Sequence, residues 1–443
     1  MRFRGLPPLL LVLVALGCAS GGDSVTPVNR RPTIDLLFTK IGVVRGIPVN
    51  LSVAVDDMDE DPLTVTWSIT RDPSKTALTP QNADKTVVRW ATPVAAGTDT
   101  LTVRVSDGQL NSSVTAIIKV GYAASGQTAL SLYEKAKSPY IVAPPSGNPL
   151  FTIPEGQTTI IEAGTELLID VPGTVIDVAG GTLIVNGTSV DPVTIQPNDR
   201  SFQCGDERGW WEGVRGSTFS DGVNTFDGFI DLDHTEIRYG QNGIRLRDNA
   251  NAVVTDCMIR CSGDAGMLIE GHGSLMAIDT EVSNGRADGI AIAAIASIPD
   301  SVIVRGCDLR INGSSGIRMA IADPSGSVPI VVEYNKIEFN FTRGITLSHA
   351  EFPQIHFNQF SGNGVGTGVT NIYLENGFPE GASVPQLDAS CNYWGAPVAN
   401  QSTIDGTIHD SLDSGAVGTR IVVSPWLNAS PFTTPPTCTP PTP

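Results

Sequence analysis

Several residue classes are scarce in this chain of 443 residues, and each scarcity narrows the functions that it can have. Charged side chains make up 17% of the residues, and the net charge of -18 argues against a nucleic-acid partner, because phosphates would be repelled. The 7 cysteines include no Cys-x-x-Cys pair and the 5 histidines are scattered, so no spacing is typical of a zinc site. No Ser-His-Asp arrangement and no phosphate loop is recognisable either.

Glycine, by contrast, is abundant, and one short phrase returns from Asp231 to Gly364. Each copy has a small residue, a spacer and an apolar residue, followed by a polar turn that ends in Gly and another apolar residue. The glycines, which lie 23, 23, 27, 28 and 24 residues apart by subtraction, are Gly243, Gly266, Gly289, Gly316, Gly344 and Gly368. A period in the twenties without heptads predicts a β-solenoid.

Stacked turns of such a solenoid would bury one column of side chains per repeat position. The apolar residues of the triplets form one predicted inward column: Ile237, Ile259, Val282, Leu309, Ile337 and Phe360. Two positions earlier, small or amide side chains predict a structural ladder along the axis. Its members are Thr235, Cys257, Thr280, Cys307, Asn335 and Asn358.

Residues 1–18 have the pattern of an export signal, with Arg2 and Arg4 before an apolar stretch too short to span a membrane. The end of this segment, Ala15-Leu16-Gly17-Cys18, resembles the lipobox of bacterial lipoproteins. That resemblance implies a lipid on Cys18 and an outer-membrane location, periplasm-facing or surface-exposed; without lipidation we expect a secreted protein. Residues 19–32 form a predicted flexible tether.

Residues 33–122 alternate apolar and polar positions in short runs, which predicts a β-sandwich with Trp67 and Trp90 in its core. The segment from Val55 to Trp67 resembles bacterial immunoglobulin-like and cadherin-like repeats. The resemblance implies that Asp57, Asp59 and Asp61 could bind Ca²⁺, the one cofactor that the sequence suggests. Alternate carboxylates suit Ca²⁺, but a solvated acidic turn explains them too.

Residues 123–152 are interpreted as a linker and an N-terminal cap, with a helical turn near Leu130–Ala136. Residues 153–427, through turn-and-strand units such as Gly181–Thr188 and Gly209–Val214, resemble right-handed parallel β-helix proteins of the pectate-lyase-like superfamily. The expected fold is therefore all-β: an Ig-like sandwich followed by a right-handed parallel β-helix. Residues 428–443 form a Pro/Thr-rich tail.

Many right-handed β-helices are polysaccharide lyases or hydrolases, so outward charges of the repeat are candidate catalytic residues. These candidates are Arg245, Arg247, Glu270, Arg318 and Asp323. On another strand, Arg238 and Arg260 fall on adjacent turns and predict a small basic stripe that could contact an anionic sugar. Isolated solvated charges explain these residues better than an intact catalytic site does.

Six cysteines remain besides Cys18. Cys257 and Cys307 lie two turns apart in the ladder, roughly 9.6 Å, which is too far for a disulfide, so both are predicted to be buried thiols. Cys391 could pair with Cys438 and tie the tail to the last turns. Cys204 with Cys261 is a second pairing that the sequence leaves open.

The leading hypothesis is an exported, lipid-anchored envelope protein whose β-helix binds or adheres to a glycan or another envelope component without catalysis. A polysaccharide lyase or glycoside hydrolase that uses inserted loops near residues 295–330 and 370–385 is the alternative from another class. A purely structural spacer is the third. Under the leading hypothesis, the expected partners of the protein are the lipid bilayer, through the anchor, and a polysaccharide or another envelope component.

Overall fold

The structure is a computed structural model. It describes residues 28–72, 77–145, 147–198, 204–205, 208–293, 299–321, 329–348, 353–364, 371–375, 386–395, 400–410, 413, 420–427, 429–432 and 438. Cys18 and Asp323 lie outside these residues, as do most of the predicted inserted loops. Within the described part, no helix is both long and apolar enough to cross a membrane.

The first domain is a β-sandwich, as its alternating sequence predicts. Its strands are β1 (Thr33–Leu36), β2 (Lys40–Val44), β3 (Val49–Asp56), β4 (Thr64–Ile69), β5 (Leu78–Pro80), β6 (Val87–Trp90), β7 (Gly97–Ser106) and β8 (Asn111–Ser125). One sheet has the order β1-β3-β6-β5, and the other contains β4, β7, β8 and β2. Trp67 and Trp90 are both buried in the core between the sheets.

The remaining strands are short, and most contribute alternate side chains to a common interior. They are β9 (Leu132–Tyr133), β10 (Tyr140–Ala143), β11 (Leu150–Pro154), β12 (Thr158–Glu162), β13 (Glu166–Ile169), β14 (Val175–Ala179), β15 (Thr182–Asn186), β16 (Val193–Pro197), β17 (Gly213–Ser217), β18 (Phe219–Ser220), β19 (Thr225–Phe226), β20 (Phe229–Asp233), β21 (Thr235–Arg238), β22 (Ile244–Leu246), β23 (Asn251–Thr255), β24 (Met258–Arg260), β25 (Met267–Ile269), β26 (Leu275–Ile278), β27 (Glu281–Ser283), β28 (Ile290–Ile292), β29 (Val302–Arg305), β30 (Asp308–Arg310), β31 (Ser315–Ala320), β32 (Ile330–Glu333), β33 (Lys336–Glu338), β34 (Arg343–Ser348), β35 (Gln354–His356), β36 (Gln359–Ser361), β37 (Ile372–Leu374), β38 (Leu387–Asp388), β39 (Ile408–His409) and β40 (Ile421–Val422). A short 3-10 helix (Lys135–Lys137) follows β9, and one α-helix, α1 (Gln401–Asp405), precedes β39.

These strands wind into three parallel sheets, because each strand pairs with the equivalent strand one coil away. We call the sheet that runs from β10 to β36 sheet I, the sheet from β11 to β39 sheet II, and the sheet from β9 to β35 sheet III. The chain visits them in the order III, I, II in every coil from β9 to β37. This is the parallel β-helix that the repeat predicts, and the predicted all-β fold is confirmed.

The inward side chains of all three sheets form one continuous apolar core. Ile237, Ile259, Val282 and Leu309 are each 1% exposed or less, and they are consecutive in the register of sheet I. A single coil cannot bury such residues on both sides, so the core exists only because coils stack.

The sandwich joins the β-helix through a shared sheet rather than through a linker. Strand β8 pairs antiparallel with β7 along its first part, and its last residues, Tyr122–Ser125, pair in parallel with β10. The predicted linker and cap, residues 123–152, therefore already contains the first coil, with a strand at Leu132–Tyr133 and a 3-10 helix where a helical turn was expected. The sandwich itself covers the end of sheet I, which would otherwise be an open edge.

A buried hydrogen-bond pair fixes this junction. The backbone N–H of Gly42 donates to Oδ1 of Asn198 at 2.6 Å, and Nδ2 of Asn198 donates to the Gly42 carbonyl at 2.9 Å. A Cβ at position 42 would lie 2.5 Å from a methyl carbon of Leu168 and 2.6 Å from one of Ile141, so a larger residue would require these buried side chains to move. The sequence separation of 156 residues makes this contact invisible to any repeat pattern.

Candidate functional site

The outer face of sheet I carries mostly polar and charged side chains, which form two parallel columns. The first column, in register order, is Glu166, Thr194, Glu236, Met258, Glu281, Asp308, Lys336 and Gln359. The second column is Gln196, Arg238, Arg260, Ser283, Arg310, Glu338 and Ser361. Acidic groups therefore dominate one column and basic groups the other over the middle coils. We call this surface the charged floor.

Ion pairs connect the two columns from coil to coil. Arg260 lies 2.7 Å from a carboxylate oxygen of Glu281 and 3.9 Å from one of Glu236. Arg310 lies 3.2 Å from Glu281 and 3.3 Å from Asp308. The predicted basic stripe of Arg238 and Arg260 is thus present on adjacent coils, but acidic neighbours neutralise both of its members.

The pKa values of the charged floor follow from these contacts. Partial burial alone would raise the pKa of Glu281, but hydrogen bonds from Arg260 and Ser283 and the charge of Arg310 lower it below its ordinary value. The pKa of the Arg260 guanidinium is raised, first by its hydrogen bond to Glu281. Burial raises the pKa of Asp308. The floor is therefore a desolvated network that holds its side chains in fixed positions.

The predicted ladder of small and amide side chains lies beneath one margin of the charged floor, the edge at which the strands of sheet I begin. Asn335 and Asn358 are fully buried, and Nδ2 of Asn335 donates to Oδ1 of Asn358 at 2.9 Å. Asn392 continues the chain of amides, because Asn358 donates to its Oδ1 at 3.0 Å. Toward the N-terminus the hydroxyl of Thr280 accepts from the backbone N–H of Cys257 at 3.3 Å. The structure thus brings the ladder residues together along the axis.

A second amide ladder, which our sequence interpretation missed, lies beneath the other margin. Asn312 donates to Oδ1 of Asn340 at 3.1 Å, and Asn340 donates to Oδ1 of Asn363 at 3.1 Å. These asparagines occur five residues after Cys307, Asn335 and Asn358, by subtraction, so their spacing is visible in the sequence. Two ladders hold the charged floor from both sides.

Both margins of the floor are corners at which the backbone adopts a left-handed conformation. At the first corner the positive-φ residues include His234, Asp256, Asp279, Gly306, Tyr334, Phe357 and Cys391. At the second corner they include Tyr239, Cys261, Asn284, Ile311, Phe339 and Gly362. Most of these residues carry a Cβ, which makes φ near +60° unfavourable, so the stacked coils must impose the conformation. Tyr239 and Cys261 are buried at these corners, whereas Ile311 and Phe339 are exposed.

In the C-terminal coils these outward corners carry aromatic and apolar side chains. Phe339 is 55% exposed and Phe341 54% exposed on the second margin, next to Ile311 at 51%. On the first margin the rings of Tyr334 and Phe357 stack with centroids 5.0 Å apart and an angle of 13° between planes. We call this part of the charged floor, from Asp308 to Ser361 with its two aromatic margins, the aromatic-flanked floor.

The predicted catalytic residues lie on sheet II, on a different face. The guanidinium of Arg245 makes a two-pronged contact with Glu270, at 2.7 and 3.0 Å, and Arg247 lies 3.7 Å from the same carboxylate. Arg318 is exposed and three coils further along the register, about 14 Å away. The structure therefore brings together Arg245, Arg247 and Glu270 and leaves Arg318 apart. Asp323 lies outside the described residues.

One neighbour of this group has the electrostatic property of a general acid. Partial burial and the charge of Asp288 raise the pKa of the Asp264 carboxyl, while Arg245 lowers it. A carboxyl with a raised pKa beside an ion-paired carboxylate is the pattern that acid-base chemistry uses. The Asp264 side chain is in contact with solvent, which screens these interactions.

In the sandwich, the acidic turn is organised around Asp57. Its Oδ1 accepts the backbone N–H groups of Asp59 and Asp61 at 2.9 and 3.3 Å, whereas its Oδ2 is buried without a hydrogen-bond partner among the described residues. The buried Oδ1 of Asn29 lacks a partner in the same sense. Both atoms are oxygens, the ligand type that Ca²⁺ prefers. Among the described residues, however, the carboxylates of Asp57, Asp59 and Asp61 do not cluster within 4.8 Å of one another, and Asp59 contacts Arg30 at 3.9 Å.

Another group of metal-type ligands lies at the first corner. Ligand atoms of Asp233, His234 and Asp256 all lie within 4.8 Å of one another, and His234 Nδ1 is 2.6 Å from Asp233 Oδ1. Asp256 is exposed and the other two are half-buried. The geometry suits a cation, but exposed acidic groups at solenoid corners commonly lack one.

The structure shows which cysteines are paired, a question that the sequence left open. The structure pairs Cys204 with Cys261 and Cys391 with Cys438, with Cα atoms 5.2 and 5.4 Å apart. Cys257 and Cys307 are free and buried, and burial raises the pKa of each thiol to about 12. Both are therefore neutral and part of the core packing rather than nucleophiles.

Comparison with known families agrees with this architecture. Residues 29–121 match the family described as bacterial Ig domain, and residues 219–377 match the family described as right handed beta helix region. The chain thus carries a bacterial Ig domain followed by a right-handed β-helix. These domains fit a carbohydrate-related or adhesion-type extracellular protein. No curated protein and no solved structure matches the chain significantly.

Proposed function

We propose that the β-helix is a non-catalytic glycan-binding module and that the aromatic-flanked floor is its binding surface. The observation that carries the proposal is the exposure of Phe339 and Phe341, at 55% and 54%, beside a floor of fixed polar groups. A contiguous exposed apolar patch that is rimmed by polar residues typically marks an interaction site. A single exposed aromatic residue would need no functional explanation, but these two lie together on one margin of the floor.

The chemistry of a sugar matches both parts of this surface. A pyranose ring has an apolar face of C–H groups, which can pack on an aromatic ring such as Phe339, and a rim of hydroxyls. The rim can exchange hydrogen bonds with Glu338 and Gln359, whose side chains line the floor between the margins. The ammonium group of Lys336 lies 4.9 Å from the centroid of the Phe432 ring, so the floor carries one more exposed aromatic ring at this point. Because the coils repeat every 4.8 Å or so, successive coils offer repeated contacts to a linear polymer.

Affinity electrophoresis tests the proposal. Gels that contain neutral polysaccharides (a β-glucan, xylan, galactomannan) or anionic ones (alginate, hyaluronan) should retard the wild-type chain in at least one case. Retardation should disappear in the Phe339→Ala/Phe341→Ala double variant and persist in Phe226→Ala, which removes an exposed ring (37%) from the β18–β19 hairpin. Equal loss in both variants, or no retardation in any gel, would contradict the proposal and favour a structural spacer.

A second candidate function, glycan cleavage on sheet II, is favoured by Asp264 beside the Arg245–Glu270 pair. In a glycosidase a carboxyl with a raised pKa protonates the leaving group while a second, ionised carboxylate acts on the other side of the bond. A screen of the same polysaccharides for new reducing ends and for the absorbance of unsaturated uronates would detect hydrolase or lyase activity. Activity that is lost in Arg245→Ala would overturn the non-catalytic proposal.

We further propose that Cys18 anchors the exported protein to the outer membrane. The lipobox-like residues before Cys18 support this location, and the sandwich would then hold the β-helix away from the bilayer. Labelling of cells with an alkyne-modified palmitate tests it: the label should attach to the wild-type chain and be absent from Cys18→Ser. A Cys18→Ser variant that keeps both its label and its membrane fraction would contradict the anchor.

Ca²⁺ binding at the acidic turn is the remaining proposal, and it is supported by the partnerless oxygens of Asp57 and Asn29. The ion would be held by Asp57, Asp59 and Asp61, with Asn29 as a further oxygen donor, and it would stabilise the sandwich by binding only the folded state. Millimolar Ca²⁺ should raise the melting temperature of the wild-type chain and leave that of Asp57→Asn unchanged. A wild-type melting temperature that ignores Ca²⁺ would exclude the site.

A further inference from the structure

A cleft lies where the sandwich meets the first coils of sheet I, at the opposite end of the charged floor from the aromatic margins. Its volume is about 360 Å³. The sandwich contributes Lys40 and Lys119, and the β-helix contributes the rest of the lining: Gly164, Thr165, Glu166, Pro192, Thr194, Gln196, Glu236 and Arg238. Neither domain has this cleft alone, so the shared sheet creates it.

The charge of the cleft differs in sign from that of the chain. Its lining holds three cations (Lys40, Lys119, Arg238) and two carboxylates (Glu166, Glu236), so the local formal charge is 3 − 2 = +1. The whole chain has a net charge of -18. A local positive excess on such an acidic protein attracts an anion to this place rather than to the rest of the surface.

Two of the three cations, Lys119 and Arg238, are held in place by the two carboxylates. Lys119 donates to Glu166, which also accepts from Nε2 of Gln196 at 3.1 Å. Nε of Arg238 donates to Oε1 of Glu236 at 2.7 Å. The Glu side chains are only 12% and 14% exposed, whereas those of Lys119 and Arg238 are 23% and 36% exposed. The more exposed cations therefore face the opening.

Several donors remain available in this arrangement. An ammonium group has three N–H donors and a guanidinium has five, and both point outward from fixed positions. Thr194 lies between the two glutamates in the register and adds a small hydroxyl to the floor of the cleft. Fixed cations with spare donors and a neighbouring hydroxyl suit an oxyanion that carries further hydroxyl groups.

We infer that this cleft binds an anionic sugar unit, in which a phosphate or carboxylate contacts the cations and the hydroxyls contact Thr194, Gln196 and the carboxylates. The volume is near the lower limit of ligand pockets, which matches one or two sugar units. The polar lining disfavours an apolar ligand of the same size. The inference is independent of the aromatic-flanked floor, which begins three coils, or roughly 14 Å, beyond Glu236 along sheet I.

Titration calorimetry of the full chain at low salt tests the inference with four probes: α-D-glucose 1-phosphate, D-glucuronate, D-glucose and inorganic phosphate. At least one of the two anionic sugars should bind at least ten times more tightly than glucose and than inorganic phosphate. Its affinity should fall as salt is added, because the attraction is electrostatic. Tighter binding of glucose 1-phosphate would identify a phosphate as the preferred anionic group, and tighter binding of glucuronate would identify a carboxylate.

Two variants remove the site in different ways, so a folding defect in one leaves the other as a test. Arg238→Gln removes a cation, and Thr194→Glu places a third carboxylate in the floor; each should weaken binding of the anionic sugar at least tenfold. Arg305→Gln is the matched control, because Arg305 also pairs with a glutamate (Glu333, 2.9 Å) but lies on sheet III. Equal binding of glucose, equal binding of inorganic phosphate, or unchanged binding in both variants would overturn the inference. The Phe339→Ala/Phe341→Ala variant should bind the probe normally, which separates this result from a failure of the proposed function.

Discussion

Replacement of Asn335 by alanine should destabilise the β-helix strongly, because this fully buried amide satisfies backbone groups of the coil before it. Its Oδ1 accepts the N–H of Cys307 at 2.8 Å, and its Nδ2 donates to the carbonyl of Val304 at 2.9 Å. Alanine leaves both backbone groups buried and unpaired. Each such group costs about 1–3 kcal/mol, so we expect a loss of about 2–6 kcal/mol in the free energy of unfolding.

The ladder itself supplies the control for this estimate. Thr280 occupies the equivalent position two coils earlier, and its hydroxyl accepts the N–H of Cys257 at 3.3 Å. Asn335→Thr should therefore recover a large part of the loss, because a hydroxyl can accept from Cys307 and donate to a carbonyl. Asn186→Ala, on an exposed outward position of sheet III, should change stability by less than about 0.5 kcal/mol.

Equilibrium urea unfolding, followed by far-ultraviolet circular dichroism, measures these differences as shifts in the transition of the β-helix. The order of stability should be wild type, Asn186→Ala, Asn335→Thr and Asn335→Ala. An Asn335→Ala variant that loses less than about 1 kcal/mol would refute the reasoning, since the orphaned groups must then find other partners. So would an Asn335→Thr variant as unstable as the alanine variant.

Three further predictions concern the charged floor, the thiols and the junction. The pKa of Glu281 is lowered in the folded state, so its stabilising contribution is present above its unfolded pKa near 4.5 and is lost as pH falls through the folded value. The stability advantage of the wild type over Glu281→Gln, measured by urea unfolding, should therefore shrink below about pH 4.5. An advantage that does not depend on pH would contradict the pKa shift. Cys257 and Cys307 should react with a thiol reagent at pH 8 only when urea unfolds the chain, since each folded pKa is about 12; rapid labelling of the native protein would disprove their burial. Asn198→Ala should lower the melting temperature of the β-helix and the sandwich together, because it removes both hydrogen bonds to Gly42; two separate transitions with only one shifted would show that the domains do not stabilise each other.

The repeat predicted the interior of the β-helix well, for a physical reason. Inward residues such as Ile237 and Ile259 must be apolar in every coil, so burial leaves a periodic trace in the sequence. The same holds for Asn335 and Asn358, whose amides satisfy each other only at a constant spacing. The second ladder obeys the same rule.

The outer surface was harder to predict, because outward side chains are not required to be alike from coil to coil. Arg238 and Arg260 suggested a basic stripe, yet their acidic neighbours come from the first column of the same floor. The pairing depends on which long side chains lean toward each other, and this is set by side-chain conformation rather than by period.

The sequence alone thus determined the two domain types, the strand repeat and the buried ladder, since each depends on local alternation or on a repeat that stacking enforces. Only the tertiary structure decided that β8 continues from the sandwich into sheet I and that Gly42 meets Asn198. It alone placed exposed rings such as Phe339 at left-handed corners beside the charged floor. These features join residues that are distant in the chain, and their contacts follow from how the two domains pack rather than from any local pattern.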